Sequence, residues 1–132
     1  MNIFSTIILS LLVTVGWSQE ITHLQNLSVP EDYENVYTQL LYENDEASYF
    51  LIWIKKGVSM HKHNEHTEGI YVVDGIGLMT VGDQTFEIKK DDFFVIPKAT
   101  FHALEVTSSI PVKVISVQMP RFNKEDRIFK NE

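Results

Sequence analysis

The sequence predicts an all-β protein, built as a small sandwich or barrel of short strands. Runs rich in β-branched and aromatic residues recur along the 132-residue chain, and turn residues separate them. Almost no segment repeats its apolar residues with the period of a helix. Turn signals that recur every 8–12 residues, roughly, are typical of all-β sandwiches and small barrels.

The predicted strands follow one another with short turns between them. In chain order they are 36–42, 48–55, the segment that carries His61 and His63, 68–73, 76–81, 84–88, 93–96, 103–106 and 112–119. Polar residues at 43–45 favour a turn after the first strand. Gly82-Asp83 is a two-residue hairpin signature, and prolines end strands at Pro97 and Pro120.

The strand over 48–55 is the most apolar of the set. One of its faces carries Phe50, Ile52 and Ile54, and the other carries Tyr49, Leu51 and Trp53. Successive side chains of a strand point to opposite faces of the sheet, so both faces are apolar here. We therefore expect this strand to be covered on both sides, and a homodimer interface is one such cover.

Composition sets the class of protein. A chain of 132 residues with 44% apolar and 22% charged residues is long enough for one globular domain. The net charge of −7, without a basic stripe, argues against nucleic acid and against an anionic membrane surface as partners. The sequence has no cysteine, so neither disulfides nor thiolate ligands are available.

The first 18 residues predict a secretory signal peptide, and hence a secreted or periplasmic protein. They carry no charged side chain, hold an apolar run over 7–15, and end with the small residues Gly16 and Ser18 around a cleavage site. An uncleaved anchor and a buried core segment are the alternatives, but the run is shorter than the roughly 20 residues that a span needs. The expected organisation is a signal over 1–18, an arm over 19–32, a barrel over 33–120 and a charged tail over 121–132.

Three histidines and a glutamate form the candidate site. His61 and His63 point the same way if their segment is extended, because side chains two apart share a face. Glu68 begins an apolar strand, and His102 lies between apolar neighbours. A carboxylate or imidazole in such a lining is unfavourable unless it is paired, and a divalent transition metal would satisfy all four groups.

This arrangement resembles the cupin superfamily. The first motif of the family runs from His-x-His through Glu to Gly, and His61, His63, Glu68 and Gly75 fit it at the family spacing. The leading glycine departs, because Gly57 lies three residues before the first histidine instead of five. The resemblance implies a double-stranded β-helix, a jelly-roll-like barrel, with one metal near its centre.

The second cupin motif is matched in part. Pro97 and His102 occupy its proline and histidine positions. Its two glycine positions hold Asp91 and Ala99, and its asparagine position holds Val106. These departures bear on turn geometry and not on ligation. The residue-by-residue match therefore implies His61, His63, Glu68 and His102 as ligands of Fe, Mn, Ni, Cu or Zn.

Other ionisable residues nearby compete for a role. Glu65 has the strand parity of His61 and His63, but Glu68 fits the family spacing. Glu65 and His66 are expected in the connecting loop as solvated residues, with a supporting contact to a ligand as the alternative. His23 lies outside both motifs and is expected to be structural or exposed.

The pattern leaves three functions open. The first is a metalloenzyme of the oxygenase, isomerase or lyase type that acts on a small neutral or aromatic molecule, since the only arginines, Arg121 and Arg127, lie outside the motifs. The second is a non-catalytic module that binds a small molecule or uses its metal structurally. The third is a metal-free barrel.

Overall fold

The computed structural model describes residues 19–130, so the predicted signal peptide over 1–18 lies outside the described residues. The predicted all-β fold is confirmed, and the strands are β1 Val36–Glu43, β2 Ser48–Ile54, β3 Gly57–His63, β4 Thr67–Asp74, β5 Ile76–Val81, β6 Gln84–Lys89, β7 Phe93–Ile96, β8 His102–Val106, β9 Val112–Met119 and β10 Arg127–Phe129. Two short 3₁₀ helices cover Leu24–Asn26 and Lys124–Asp126. Among the described residues, no helix is long and apolar enough to cross a membrane.

The strands form two antiparallel sheets of five. One sheet has the order β1-β2-β9-β4-β7 and the other the order β10-β3-β8-β5-β6. Consecutive strands such as β3 and β4 lie in different sheets, so the chain crosses between the layers as it runs. Facing inner surfaces then bury alternate residues of each strand, as the alternating burial of β9 shows.

The apolar core and a polar cluster occupy different ends of the space between the sheets. Along β9, the buried residues Val112 and Val114 belong to the core, and the buried residues that follow them are Ser116 and Gln118. Along β4, Glu68 is likewise followed by core residues at 70 and 72. The inward faces of β4 and β9 are therefore polar at one end and apolar at the other. The two strands are antiparallel, so their polar ends meet.

Two loops take a left-handed backbone at residues that are not glycine. Asp91 has φ of 73° and Ala99 has φ of 60°, and these are the two positions where the second cupin motif has glycine. Tyr71 donates a hydrogen bond to the Asp91 carboxylate, and the Ala99 amide donates to the carbonyl of His63. The turn geometry expected at both positions is thus present, held by specific hydrogen bonds instead of by glycine.

Strand β2 is covered on both faces, as its sequence predicts. Leu51 is fully buried, and Trp53 packs against Tyr37 in a tilted arrangement, with ring centroids 5.8 Å apart. Lys113 lies over the Trp53 ring at 5.0 Å, and its ammonium donates to the carbonyl of Leu24 in the N-terminal arm. The arm supplies part of this cover, and a homodimer interface stays a prediction.

The segment after Pro120 is a structural part of the barrel. Strand β10 pairs antiparallel with β3, so that Arg127 lies opposite His63 and Phe129 opposite His61. The sequence predicts only a charged tail over 121–132, because three strand residues among charges give no periodic signal. The paired strand brings this segment to the polar end of the barrel.

Candidate metal centre

Three imidazoles converge at the polar end of the barrel. His61 and His63 lie two apart on β3 and share its inward face, and His102 on β8 lies directly opposite His61. The ring centroid of His102 is 4.2 Å from that of His61 and 5.6 Å from that of His63. All three residues are buried, and each offers a ring nitrogen within 4.8 Å of the others. We call these three residues the imidazole trio.

Backbone carbonyls fix which nitrogens of the trio are protonated. His61 Nδ1 lies 2.8 Å from the carbonyl oxygen of Ser59, and His102 Nδ1 lies 3.0 Å from that of Thr100. A carbonyl oxygen only accepts, so both Nδ1 atoms carry the proton and both Nε2 atoms keep a lone pair. His63 Nδ1 is buried without a hydrogen-bond partner among the described residues. In His61 and His102, the hydrogen bond of Nδ1 orients the ring so that Nε2 can bind an ion, and this arrangement is typical of metal-binding histidines.

Glu68 lies beside the trio. Its Oε1 accepts hydrogen bonds from the Ser116 hydroxyl and from Gln118 Nε2, the latter at 3.3 Å, while Oε2 is 3.7 Å from His102 Nε2. Glu65 is exposed on the connecting loop. The structure therefore brings together all four residues that the motifs single out, and it leaves Glu65 outside. Their role as ligands stays a prediction.

Burial favours the neutral form of two of the three imidazoles, His61 and His63. Burial is the main cause that lowers the pKa of His61 to about 3, and the neighbouring His102 acts in the same direction. Burial also lowers the pKa of His63, although the negative charge of Glu68 opposes this shift. Neutral imidazoles with free lone pairs, next to one carboxylate, are the donor set that a divalent transition metal requires. The residues present therefore fit such an ion.

A family model describes this part of the chain. The model for the cupin domain matches residues 49–118, which include the whole trio and Glu68. The match covers more than half of the chain. The chain belongs to the cupin family. The resemblance drawn from the two motifs is thereby confirmed.

Sequence relatives match this cupin over part of their length, and the chain spans about half or less of those it matches first. An uncharacterised protein of Methanocaldococcus jannaschii is 37% identical over 67 residues, which cover 51% of this chain and 54% of the relative. Mannose-1-phosphate guanylyltransferase of Salmonella typhimurium is 33% identical over 70 residues, which cover 53% of this chain and 15% of the enzyme.

Solved structures share the fold at low sequence identity. A Klebsiella pneumoniae protein with a double-stranded β-helix domain superposes with a TM-score of 0.72 and 13% identity, over 87% of this cupin and all of that chain. KdgF from Halomonas gives 0.66 and 17% over 75% and 93% of the two chains. A variant of the Streptomyces protein PAC13 with uridine gives 0.66 and 14% over 76% and 82%.

A fourth buried histidine, His66, lies next to the trio in this cupin. His66 has 2% of its surface exposed, so the expectation of a solvated loop residue was wrong. Its Nδ1 lies 2.6 Å from the Asp126 carboxylate, which also accepts the backbone N–H groups of Asn64 and Glu65 at 2.9 and 3.0 Å. We call the pair of His66 and Asp126 the clip, because it joins the β3–β4 loop to the C-terminal segment.

Both ring nitrogens of His66 have partners. Its Nε2 lies 2.8 Å from the carbonyl oxygen of Arg121 and 3.1 Å from the amide nitrogen of Asn123. Burial alone would raise the pKa of Asp126, but the two backbone N–H groups and His66 together hold it below its ordinary value. A metal ion could be reached by His63, His66 and Asp126 together, yet these last two are already paired to each other.

A cavity of about 620 Å³ opens beside the trio. Its wall is largely apolar, as expected from the sequence, and is formed in part by Phe50, Met79 and Phe94. The C-terminal segment adds residues that the sequence did not assign to the site. These are Phe122, Lys124, Arg127 and Phe129. No local signal in the sequence marks them, because their place depends on the pairing of β10 with β3, more than 60 residues away.

Proposed function

We propose that this cupin binds one divalent transition metal through His61, His63, His102 and Glu68, and acts on a small molecule in the adjacent cavity. Fe, Mn, Ni, Cu and Zn all suit three imidazoles and a carboxylate. The observation that carries the proposal is the pair of Nε2 lone pairs on His61 and His102, aimed inward by backbone carbonyls. Export through the predicted signal at 1–18 belongs to the same proposal.

The cavity supports catalysis on a small molecule. When bound, the metal would polarise an oxygen atom of the substrate or activate a water or O₂ molecule, as oxygenases, isomerases and lyases of this kind require. A volume of about 620 Å³ is in the usual range for small-molecule sites. The Phe50 and Phe94 side chains in its wall would hold an apolar or aromatic substrate body and exclude water.

Metal analysis tests the proposal directly. The chain from Gln19 is purified without chelators or an affinity tag and analysed for metals, beside His61→Ala and His102→Ala. We expect about one transition metal per chain in the parent and almost none in either variant. His23→Ala is the matched control, since it removes an exposed imidazole far from the trio, and it should keep the metal.

Two outcomes would contradict the proposal. The first is full metal content in both trio variants, which would move the ion elsewhere. The second is an absence of metal in the parent even after reconstitution with each of the five ions. That second result would favour the metal-free barrel.

A non-catalytic binding module is the second candidate function. It is favoured by the cavity wall, which offers few polar groups outside the predicted ligands and the C-terminal segment. The two candidates differ in whether the metal has a coordination position open to exchange. A spectral change on adding azide to the Co(II) form, or nitric oxide to the Fe(II) form, would support the enzyme, and a closed coordination sphere would support a structural metal.

A further inference from the structure

We propose that Arg127 makes this cavity a site for small organic acids, whose carboxylate lies between its guanidinium group and the metal. The proposal rests on the proposed function, because it concerns the same cavity. It changes the expected substrate class. The expectation of a neutral substrate depended on the absence of arginine from the motifs, and the pairing of β10 with β3 brings one to the site.

The position of Arg127 carries the inference. It lies opposite His63 in the β3–β10 pair and lines the cavity. One of its terminal nitrogens lies 3.5 Å from His61 Nε2, the atom proposed to bind the metal. Its guanidinium group would therefore lie within a few ångströms of a metal held by the trio. Although Arg127 is an exposed residue of β10, two cations this close at the wall of one cavity would repel each other unless an anion lay between them.

No carboxylate of the described residues forms a close ion pair with this guanidinium, although the charge of Glu68 acts on it from a longer distance. Among residues 19–130, none lies within 4.0 Å of it, whereas Arg121 is paired with Glu43 at 2.7 Å and with Asp45 at 3.8 Å. Glu68 is the acidic residue of the cavity wall, and it is already engaged by Ser116. A divalent metal and Arg127 together with one carboxylate leave an excess of positive charge, which an anionic ligand would reduce.

The chemistry of the cavity narrows the ligand to a carboxylate on an apolar body. A guanidinium group binds carboxylates through two parallel hydrogen bonds, a geometry that a neutral carbonyl cannot match. Both carboxylate oxygens would accept from Arg127, and a second lone pair of one oxygen would remain available to the metal. The rest of the molecule would contact the apolar wall around Phe50, Met79 and Phe94.

The C-terminal segment holds Arg127 in place. Just before it, Asp126 is fixed by the clip and by two backbone N–H groups. Just after it, the amide of Lys130 donates to the carbonyl of Met60 at 3.0 Å. The Arg127 guanidinium also lies 5.7 Å from the centre of the Phe129 ring. Because the Arg127 side chain is already held in place, it would lose little conformational entropy when a carboxylate binds to it.

Calorimetric titration with matched probes tests the inference. The probes are acetate, hexanoate and benzoate, each beside its primary amide, added to the Co(II)-loaded chain. We expect the carboxylates to bind at least 10-fold more tightly than the amides, and Arg127→Gln to weaken them by about 10- to 100-fold. Arg127→Lys should recover part of this loss, because it keeps the charge without the fork. Arg121→Gln, at the paired and exposed arginine, should leave all affinities unchanged.

Measurements of metal content and of imidazole binding distinguish a failure of this inference from a failure of the proposed function. Both Arg127 variants should keep the metal content and thermal midpoint of the parent, and imidazole, a neutral metal-binding probe, should bind to all of them alike. The same titrations without metal measure how much Arg127 contributes to carboxylate affinity, even if the metal proposal fails. Equal affinities for acids and amides, or carboxylate binding that Arg127→Gln does not weaken, would overturn the inference.

Discussion

Two buried histidine clusters lie side by side in this barrel, and they differ in what their nitrogens contact. In the imidazole trio, one nitrogen of His61 and one of His102 is held by a backbone carbonyl, and the other has only a long contact. His61 Nε2 lies 3.5 Å from an Arg127 nitrogen, and His102 Nε2 lies 3.7 Å from a Glu68 oxygen. In the clip, both nitrogens of His66 lie against protein partners. The arrangement of the trio suits the binding of an ion or ligand, whereas the clip joins the β3–β4 loop to the C-terminal segment.

The difference shows how burial should be interpreted for a histidine. Burial alone does not separate the two clusters, since His61, His63, His66 and His102 are all less than 5% exposed. The distances from their ring nitrogens to protein polar atoms do separate them, since both nitrogens of His66 lie within 3.1 Å of such atoms. A buried polar atom without a partner needs an explanation, and an ion is a common one, whereas a satisfied histidine needs none beyond stability. Each of the following changes acts on one cluster and should spare the other.

Replacing the clip histidine should have the largest effect on stability. His66→Ala removes the imidazole partner of the buried Asp126 carboxylate, which keeps only its two backbone N–H donors, and we expect it to lower the free energy of unfolding by about 3 kcal/mol. Urea unfolding measures this change. Metal content should stay near one per chain, because the trio is intact. His23→Ala is the control, and it should change stability by less than about 0.5 kcal/mol. Loss of metal without loss of stability would reverse the roles of the two clusters.

Acid should destabilise the metal-free protein through the trio. The pKa of His61 is about 3 in the folded protein and 6.5 without the fold, so between these values the unfolded chain binds more protons. Stability is therefore complete above pH 6.5 and falls as the pH drops, by about 2 kcal/mol between pH 7 and pH 5. Urea unfolding of the chelator-treated protein at the two pH values measures the loss.

A substitution identifies the source of that acid sensitivity. His61→Asn removes the titrating ring, so its stability should change much less between pH 7 and pH 5. The Asp126 carboxylate acts in a lower pH range, because its pKa lies below its ordinary 3.8 and its contribution is lost only as the pH falls below that value. An equal loss in the parent and in His61→Asn would locate the sensitivity outside the trio.

The smallest expected effect lies behind the trio, at the hydroxyl that holds Glu68. Ser116→Ala removes the hydroxyl that donates to Glu68 Oε1, and we expect it to weaken metal binding by about 10-fold, because Gln118 still donates to that oxygen. Competition with a chelating dye measures this affinity. Thr85→Ala, which removes an exposed hydroxyl in the other sheet, is the control. An unchanged affinity in Ser116→Ala would argue that Glu68 does not bind the metal.

Most of the fold could be predicted from the sequence, because its determinants are local. The bounds of β5, β7 and β9 agree with the prediction to the residue, and most of the other predicted strands agree within one residue at each end. Alternating apolar residues and turn residues such as Gly82 act within a few positions of the chain. The candidate ligands could also be found, since spacing along a strand places His61 and His63 on one face.

The clip and Arg127 could not be predicted, because their positions depend on distant contacts. Asp126 meets the amides of Asn64 and Glu65 across more than 60 residues of sequence, and strand β10 has only three residues. So short a strand among charged neighbours carries no periodicity. The expected substrate class depended on this as well. A neutral or aromatic substrate was expected because both arginines lie outside the motifs, whereas Arg127 lines the cavity.

The left-handed backbone at Ala99 has a consequence for protein engineering. A residue with a β-carbon is strained in this conformation by about 1 kcal/mol, and glycine is not. This loop immediately precedes His102, and its amide also holds the carbonyl of His63. The barrel thus accepts a suboptimal residue at a junction between two predicted ligands. Ala99 is therefore the position where a thermostabilised variant could be sought without altering any side chain of the cavity.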